Sequence, residues 1–371
     1  ANGNPPIGRA RWGLAFGLAA LVMILSLRPV GAPARSQESM GTLQMAVAML
    51  ADGRIEQADR ALARATDLYP ENALAWKHRL EQTARQQGTE AARALFSGVP
   101  PATREDADLR FVRGILAEAS GDLVEADSAY RAAISVRGRF PEAEARLAAI
   151  WARRGEIEPA ESLLTIATRA GPAPPSVFLQ LATLRRQLGD VDGASDAIAN
   201  AGNDRATIPT GLQAWIHLRR GETASTESAL SNGKPESGPA ERDRIALRMQ
   251  ALLVEGRAEE AEALGRSAWP LRDDGDSSTM AIRYYGTLAA IERGASTSAW
   301  QTQWSLSAAD FSLLQDLLES RVGPWGAAPA PATRRALHRL RLAAPAVAEA
   351  LTRLLREETG VHIDAEGAED R

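Results

Sequence analysis

The chain contains no cysteine, which excludes disulfides, thiolate metal sites and cysteine nucleophiles, and which fits any redox compartment. Aromatic residues make up only 5% of the 371 positions, so a core has to be assembled from small and aliphatic side chains. Neither sign of charge dominates: 43 Lys and Arg stand against 47 Asp and Glu, a formal net charge of −4. That balance gives no global basic surface for nucleic acid. The Gly-rich phosphate loop, H-E-x-x-H, G-x-S-x-G and paired-cysteine motifs are all missing. The four histidines, His78, His217, His338 and His362, lie far apart without a metal-ligand spacing. The sequence therefore predicts no enzymatic activity, no cofactor, no metal and no small-molecule substrate.

What is present is a period. Ala58, Ala92, Ala126, Ala160 and Ala194 stand at a constant spacing of 34 residues, the signature of one supersecondary unit copied along the chain and stacked on its neighbours. Gly53, Gly121, Gly155 and Gly189 each lie five residues before one of these alanines, where a glycine suits the short turn between two helices. In the second copy the glycine slips to Gly88 and Gln87 takes its place. Leu62, Phe96, Tyr130, Leu164 and Ile198 follow the alanines by four residues, and Ala65, Val99, Ala133, Ala167 and Ala201 by seven, a buried stripe at helical spacing. A methyl group at the alanine position lets two helices approach closely, where a larger side chain overpacks the contact.

These residues resemble the tetratricopeptide repeat family, most closely in the stretch Gly53 to Trp76, with Pro70 closing one unit and Trp76 opening the next. The small position of the first helix reads Ala46, Leu80, Gly114, Ala148 and Ala182, with Leu80 the departure, and the closing proline is kept only as Pro70 and Pro172. The resemblance covers five units in phase, 39–72, 73–106, 107–140, 141–174 and 175–208. It implies an all-α, right-handed solenoid of helix-turn-helix units whose concave groove binds other proteins. In the family, groove positions fall at fixed places in the first helix. Here the resemblance assigns to them Met40, Leu43, Val47 and Leu50, then Leu74, Lys77 and Glu81, then Asp108, Phe111, Ile115 and Glu118, and finally Arg153, Leu179 and Arg186. Glu81 stands where the family's clamp for a C-terminal carboxylate has asparagine, and an acid there repels that ligand.

Beyond residue 208 the period degrades. The segment 209–241 reads as an irregular helix and a flexible loop rich in Ser, Thr, Gly and Pro. Two diverged helix pairs follow over 242–307, where Gly256 with Ala261 and Gly294 with Ala299 restore the five-residue offset. Capping helices over 308–358 and an acidic tail over 359–371 complete the chain. Tyr284, Tyr285, Trp300 and Trp304 are expected to be buried beneath the last repeat. The cationic cluster Arg334, Arg335, Arg339 and Arg341 suits either an anionic surface such as lipid or intramolecular acids such as Glu349 and Glu357.

One long apolar run stands at the start. Arg9 and Arg11 precede the uncharged residues Trp12 to Leu27, which end at Arg28. Sixteen residues span ~24 Å as a helix, just short of a ~30 Å hydrocarbon core. The segment 12–28, between a flank 1–11 and a linker 29–38, is expected to be a single transmembrane anchor; a cleaved signal peptide ending near Ala32 and Ala34 is the competing reading. Two arginines on each side leave the positive-inside rule undecided. The expectation is a bacterial inner-membrane scaffold with periplasmic repeats that hold envelope or membrane proteins. The alternative is a structural subunit of a stable membrane complex of the secretion, polysaccharide-export or cytochrome c maturation type.

Overall fold

A computed structural model describes residues 31–202, 208–232, 238–271, 276–320 and 330–361. Among these residues every regular element is a helix, and they fall into two compact units, up to Leu147 and from Ala148 onward. The first unit holds α1 (Gly31–Ala51), α2 (Ile55–Leu68), α3 (Ala73–Gln87), α4 (Thr89–Phe96), the single turn α5 (Pro101–Arg104), α6 (Ala107–Ala119), α7 (Leu123–Arg137) and the first part of α8 (Pro141–Arg153). The second holds the rest of α8, then α9 (Ile157–Arg169), α10 (Pro175–Gln187), α11 (Val191–Ala201), α12 (Thr210–Arg219), α13 (Thr223–Asn232), α14 (Pro239–Val254) and α15 (Ala258–Ser267). It continues through α16 (Ser277–Glu292), α17 (Ser298–Trp304), α18 (Ala308–Glu319), α19 (Pro331–Ala343) and α20 (Pro345–Thr359). The architecture is an all-α array of tetratricopeptide-like helix pairs.

One backbone device makes most of the pairs. At Gly53, Gly121, Gly155, Gly189, Gly221, Gly256 and Gly294 the chain enters the left-handed region, with φ between 65 and 85°, which only glycine adopts without strain. The amide after each glycine then donates to a carbonyl five residues back, from Arg54 to Met49 at 2.8 Å, Asp122 to Ala117 at 3.0 Å and Asp190 to Arg185 at 2.9 Å. The same bond recurs from Glu156, Glu222, Arg257 and Ala295. This closes the preceding helix and satisfies one of its orphan carbonyls. In several turns the next residue starts the following helix: Asp122 accepts from the Glu125 amide at 2.9 Å and Asp190 from the Gly193 amide at 2.9 Å. The slipped glycine has a visible effect. Gly88, at φ 92° and ψ 170°, serves as the end of α3 and the start of α4 without the wider turn.

The repeated alanines are where the helices meet. Ala58, Ala92, Ala126, Ala160 and Ala194 are fully buried. In the third unit the contact is closer still, since a Cβ on Gly114 would lie 2.4 Å from the ring of Tyr130; the glycine is required because its partner is large. Consecutive pairs in the first unit are also tied by buried polar groups. The Ser39 hydroxyl donates to the Ala65 carbonyl at 2.7 Å and accepts from the Asn72 amide group at 2.8 Å, while Asn72 caps α3 through the Ala75 amide at 3.0 Å.

One segment differs from the sequence reading: most of the expected linker 29–38 belongs to α1, which begins at Gly31. Within the expected irregular segment 209–241, α12 and α13 form a further pair across Gly221. Its small residue is Thr226, five after the glycine and fully buried. The hydroxyl is accommodated by donating to the Glu222 carbonyl at 3.0 Å, which is how a polar residue fills an alanine's place. The expected apolar anchor 12–28 and the end of the acidic tail, 362–371, lie outside the described residues. Among the described residues no helix is long and apolar enough to cross a membrane.

Candidate functional site

In the first unit the expected groove residues divide by depth. Met40 and Val47 on α1 are 41% exposed, and Leu74 on α3 is 38% exposed. Leu50, Lys77, Glu81 and Ile115 are half-buried. Leu43 and Phe111 are buried and belong to the packing beneath this surface. Phe111 turns inward because an aromatic group surrounds it: its ring lies 5.7 Å from Tyr130 and 4.9 Å from Phe140, spacings typical of favourable aromatic pairs.

The charges of this surface are matched within it. Lys77 reaches from α3 to Asp108 on α6 at 3.2 Å, and its ammonium lies 5.6 Å from the Phe111 ring. Asp108 also pairs with Arg137, whose guanidinium sits 4.1 Å from the Phe140 ring. Glu118 accepts from the Tyr130 hydroxyl at 2.9 Å and pairs with Arg146 at 3.4 Å. Beside Lys77, partial burial lowers the His78 imidazole below its ordinary value, opposed by Glu81 and assisted by Lys77. What stays open is aliphatic, beside the Lys77–Asp108–Arg137 and Glu118–Arg146 pairs, with Glu81 facing, among the described residues, only the His78 imidazole at 4.0 Å.

The second unit uses its expected groove residue differently. Arg186, at the end of α10, donates from Nε to Glu357 on α20 at 2.6 Å and through both terminal nitrogens to Asp243 on α14 at 2.9 and 2.6 Å. One guanidinium thus holds two carboxylates from segments 57 and 171 residues away. Burial raises the Glu357 carboxyl above the ordinary carboxylate range against the pull of Arg186, and the neighbouring Asp243 adds to the rise. The next residue, Glu358, is buried and accepts from the Tyr285 hydroxyl at 2.9 Å; burial foremost, then that carboxylate, pushes the phenol well above its usual value. Arg356 pairs with Glu158 at 2.7 Å.

Packing reinforces this closure. Ala348, Leu351 and Leu355 of α20 are fully buried in one cluster with Tyr284, Tyr285, Trp300 and Trp304, so those four aromatics are core. Gly189 meets the end of α20 so closely that a Cβ would lie 2.5 Å from the Arg356 carbonyl oxygen and the Gly360 Cα. Arg186 is therefore an internal anchor for the C-terminal helix, a correction to its expected place on an open groove. Leu179 is half-buried on α10, and Arg153 is exposed in the last turn of α8. Asp243 and Glu357 carry no sequence signal linking them to Arg186, nor Glu358 one linking it to Tyr285, because the ties are long-range. Among the described residues no cluster is placed to hold a metal ion.

No family model matches the sequence, and no curated protein matches it. Solved structures do. One from a functional characterisation of Pseudomonas aeruginosa pilF is 18% identical over 53% of this chain and 91% of that one, with a TM-score of 0.46. A tetratricopeptide repeat protein of Parabacteroides merdae is 13% identical over 67% of this chain and 98% of its own, with a TM-score of 0.42. A thermophilic TPR protein of Thermus thermophilus is 20% identical over 52% and 99%, with a TM-score of 0.40. At these values the comparisons assign neither a partner nor an activity.

Proposed function

We propose that this chain is a non-enzymatic scaffold that holds partner proteins on the α1–α3 surface of its first unit, anchored in the inner membrane by residues 12–28 with its repeats on the extracytoplasmic side. One observation carries the binding reading: Met40, Val47 and Leu74 remain exposed along successive first helices while Lys77, Asp108 and Glu118 nearby are held in ion pairs. An apolar strip beside such pairs suits an aliphatic helix or extended segment laid along it. The anchor rests on the sequence of the run from Trp12 to Leu27 and raises the concentration of repeats near membrane partners. The closed second unit favours a second reading, a structural subunit whose far end serves as a rigid block inside a stable membrane complex.

Val47→Glu with Leu74→Glu distinguishes the two readings. Both side chains are exposed, so the fold is expected to survive. After mild crosslinking in native membranes, mass spectrometry of the tagged full chain is expected to lose its co-purifying proteins in this variant. Retention of the same partners at fixed ratio would favour the structural-subunit reading. Release of the chain by alkaline carbonate would argue against the anchor independently of partner binding.

A further inference from the structure

We infer that α19 is a docking surface for an anionic lipid bilayer. At 100° per residue, Pro331, Arg335, His338 and Leu342 lie within about 60° of arc on this helix, with Arg334 and Arg339 on either flank. All six are exposed, Leu342 to 77%, while Thr333, Ala336, Leu337 and Leu340 on the opposite face are buried. The outer face therefore carries Arg334, Arg335 and Arg339, with one projecting leucine, Leu342, in the last turn.

The ordinary explanation of such a cluster is that nearby acids neutralise it, and here those acids are engaged elsewhere. Glu349 pairs with Arg353 at 3.7 Å and Glu357 with Arg186 at 2.6 Å. Arg339 has one loose partner, Asp316 at 3.8 Å, and Arg341 bonds Thr352 at 3.3 Å. Arg334 and Arg335 have no ion-pair partner among the described residues, in a chain where most arginines do. The sequence carries no acid from Ser320 to Ala348, so local chain cannot supply one. Phosphate-bearing lipid headgroups complement the cations, and the exposed Leu342 on the same face suits the boundary between headgroups and acyl chains. The exposed Leu342 favours a bilayer over nucleic acid, because a projecting aliphatic side chain has a place at the headgroup boundary and none on a phosphate backbone. This inference concerns a different part of the chain from the proposed anchor and partner surface and stands without them.

The absence of cysteine makes the test direct. Ala332→Cys places a single thiol at the edge of the exposed face, and Val124→Cys, on a residue also 77% exposed, provides the control in the first unit. Each full-length variant, labelled with a fluorophore, is reconstituted with vesicles of phosphatidylglycerol or of phosphatidylcholine and titrated with a soluble quencher. The label at 332 is expected to be shielded several-fold with phosphatidylglycerol alone. That shielding should be lost at high salt, where screening shortens to ~3 Å at 1 M. It should also be lost in Arg334→Gln with Arg335→Gln, whose exposed positions leave the circular dichroism unchanged. The control label should not respond to lipid charge. Equal quenching in both lipids would overturn the inference. So would shielding in detergent without lipid, which would mean that the acidic residues from Asp364 to Asp370 or another part of the chain cover the face. Shielding by a nucleic-acid duplex but not by vesicles would overturn it as well.

Discussion

The two units take the same helix-pair device to opposite ends. In the first, successive first helices leave Met40, Val47 and Leu74 facing solvent, and the one lysine of the surface pairs with the adjacent repeat. In the second, another expected groove position on α10 holds Arg186, which reaches across to α14 and to the C-terminal helix, and α20 packs there with Leu351 and Leu355. The difference teaches that repeat type does not decide whether a groove is available. What decides it is whether the chain later returns with a segment that fits, and here that segment brings three fully buried side chains and a carboxylate for the waiting guanidinium.

The comparison breaks most severely at α20. Leu355→Ala removes a fully buried side chain and is expected to destabilise the second unit by roughly 3 kcal/mol, seen as a lower denaturant midpoint reported by Trp300 and Trp304. Partner capture by the first unit should be unchanged; a parallel loss would show that the units do not act separately.

Next come two of the expected groove cations, Arg186 and Lys77. Arg186→Leu strands the Asp243 and Glu357 carboxylates in a site where the three side chains are 17%, 30% and 23% exposed, and is expected to cost about 3 kcal/mol. Lys77→Ala, which leaves Asp108 its bond to Arg137, should cost less than about 1 kcal/mol in the same unfolding assay. Equal effects would mean that the first unit is as dependent on its charges as the second.

The smallest effect is one of pH. Burial holds the Glu357 carboxyl above its unfolded value, so its favourable contribution is present in full below the unfolded value and fades as pH rises through the folded one. Acidifying from neutrality should therefore relieve the second unit at this site, and Glu357→Gln should flatten that part of the stability profile. A profile unchanged in the variant would assign the pH response to other groups.

Much of the fold was legible because each copy repeats the same small requirement. Ala58, Ala126 and Ala194 are visible in sequence for the reason that they matter in three dimensions, a methyl group where helices cross. Thr226 performs the same task with a hydroxyl bonded back to its own helix, and for that reason the pair around Gly221 is not apparent from an alanine pattern. The expected groove positions differ in depth, which the sequence does not show because depth depends on neighbours: Phe111 sinks because Tyr130 and Phe140 receive it, while Val47 stays exposed. The bonds from Arg186 to Asp243 and Glu357 join residues with no shared spacing, so only the folded chain displays them.

The turn bond from each post-glycine amide is made entirely within its own junction, without help from neighbouring pairs. A duplication or deletion of one whole pair within the first unit would therefore leave the turn bonds of its other junctions intact, so that part of the chain can change its number of divisions in steps of one repeat, whereas the Gly189 junction is pressed against the end of α20 and is not exchangeable.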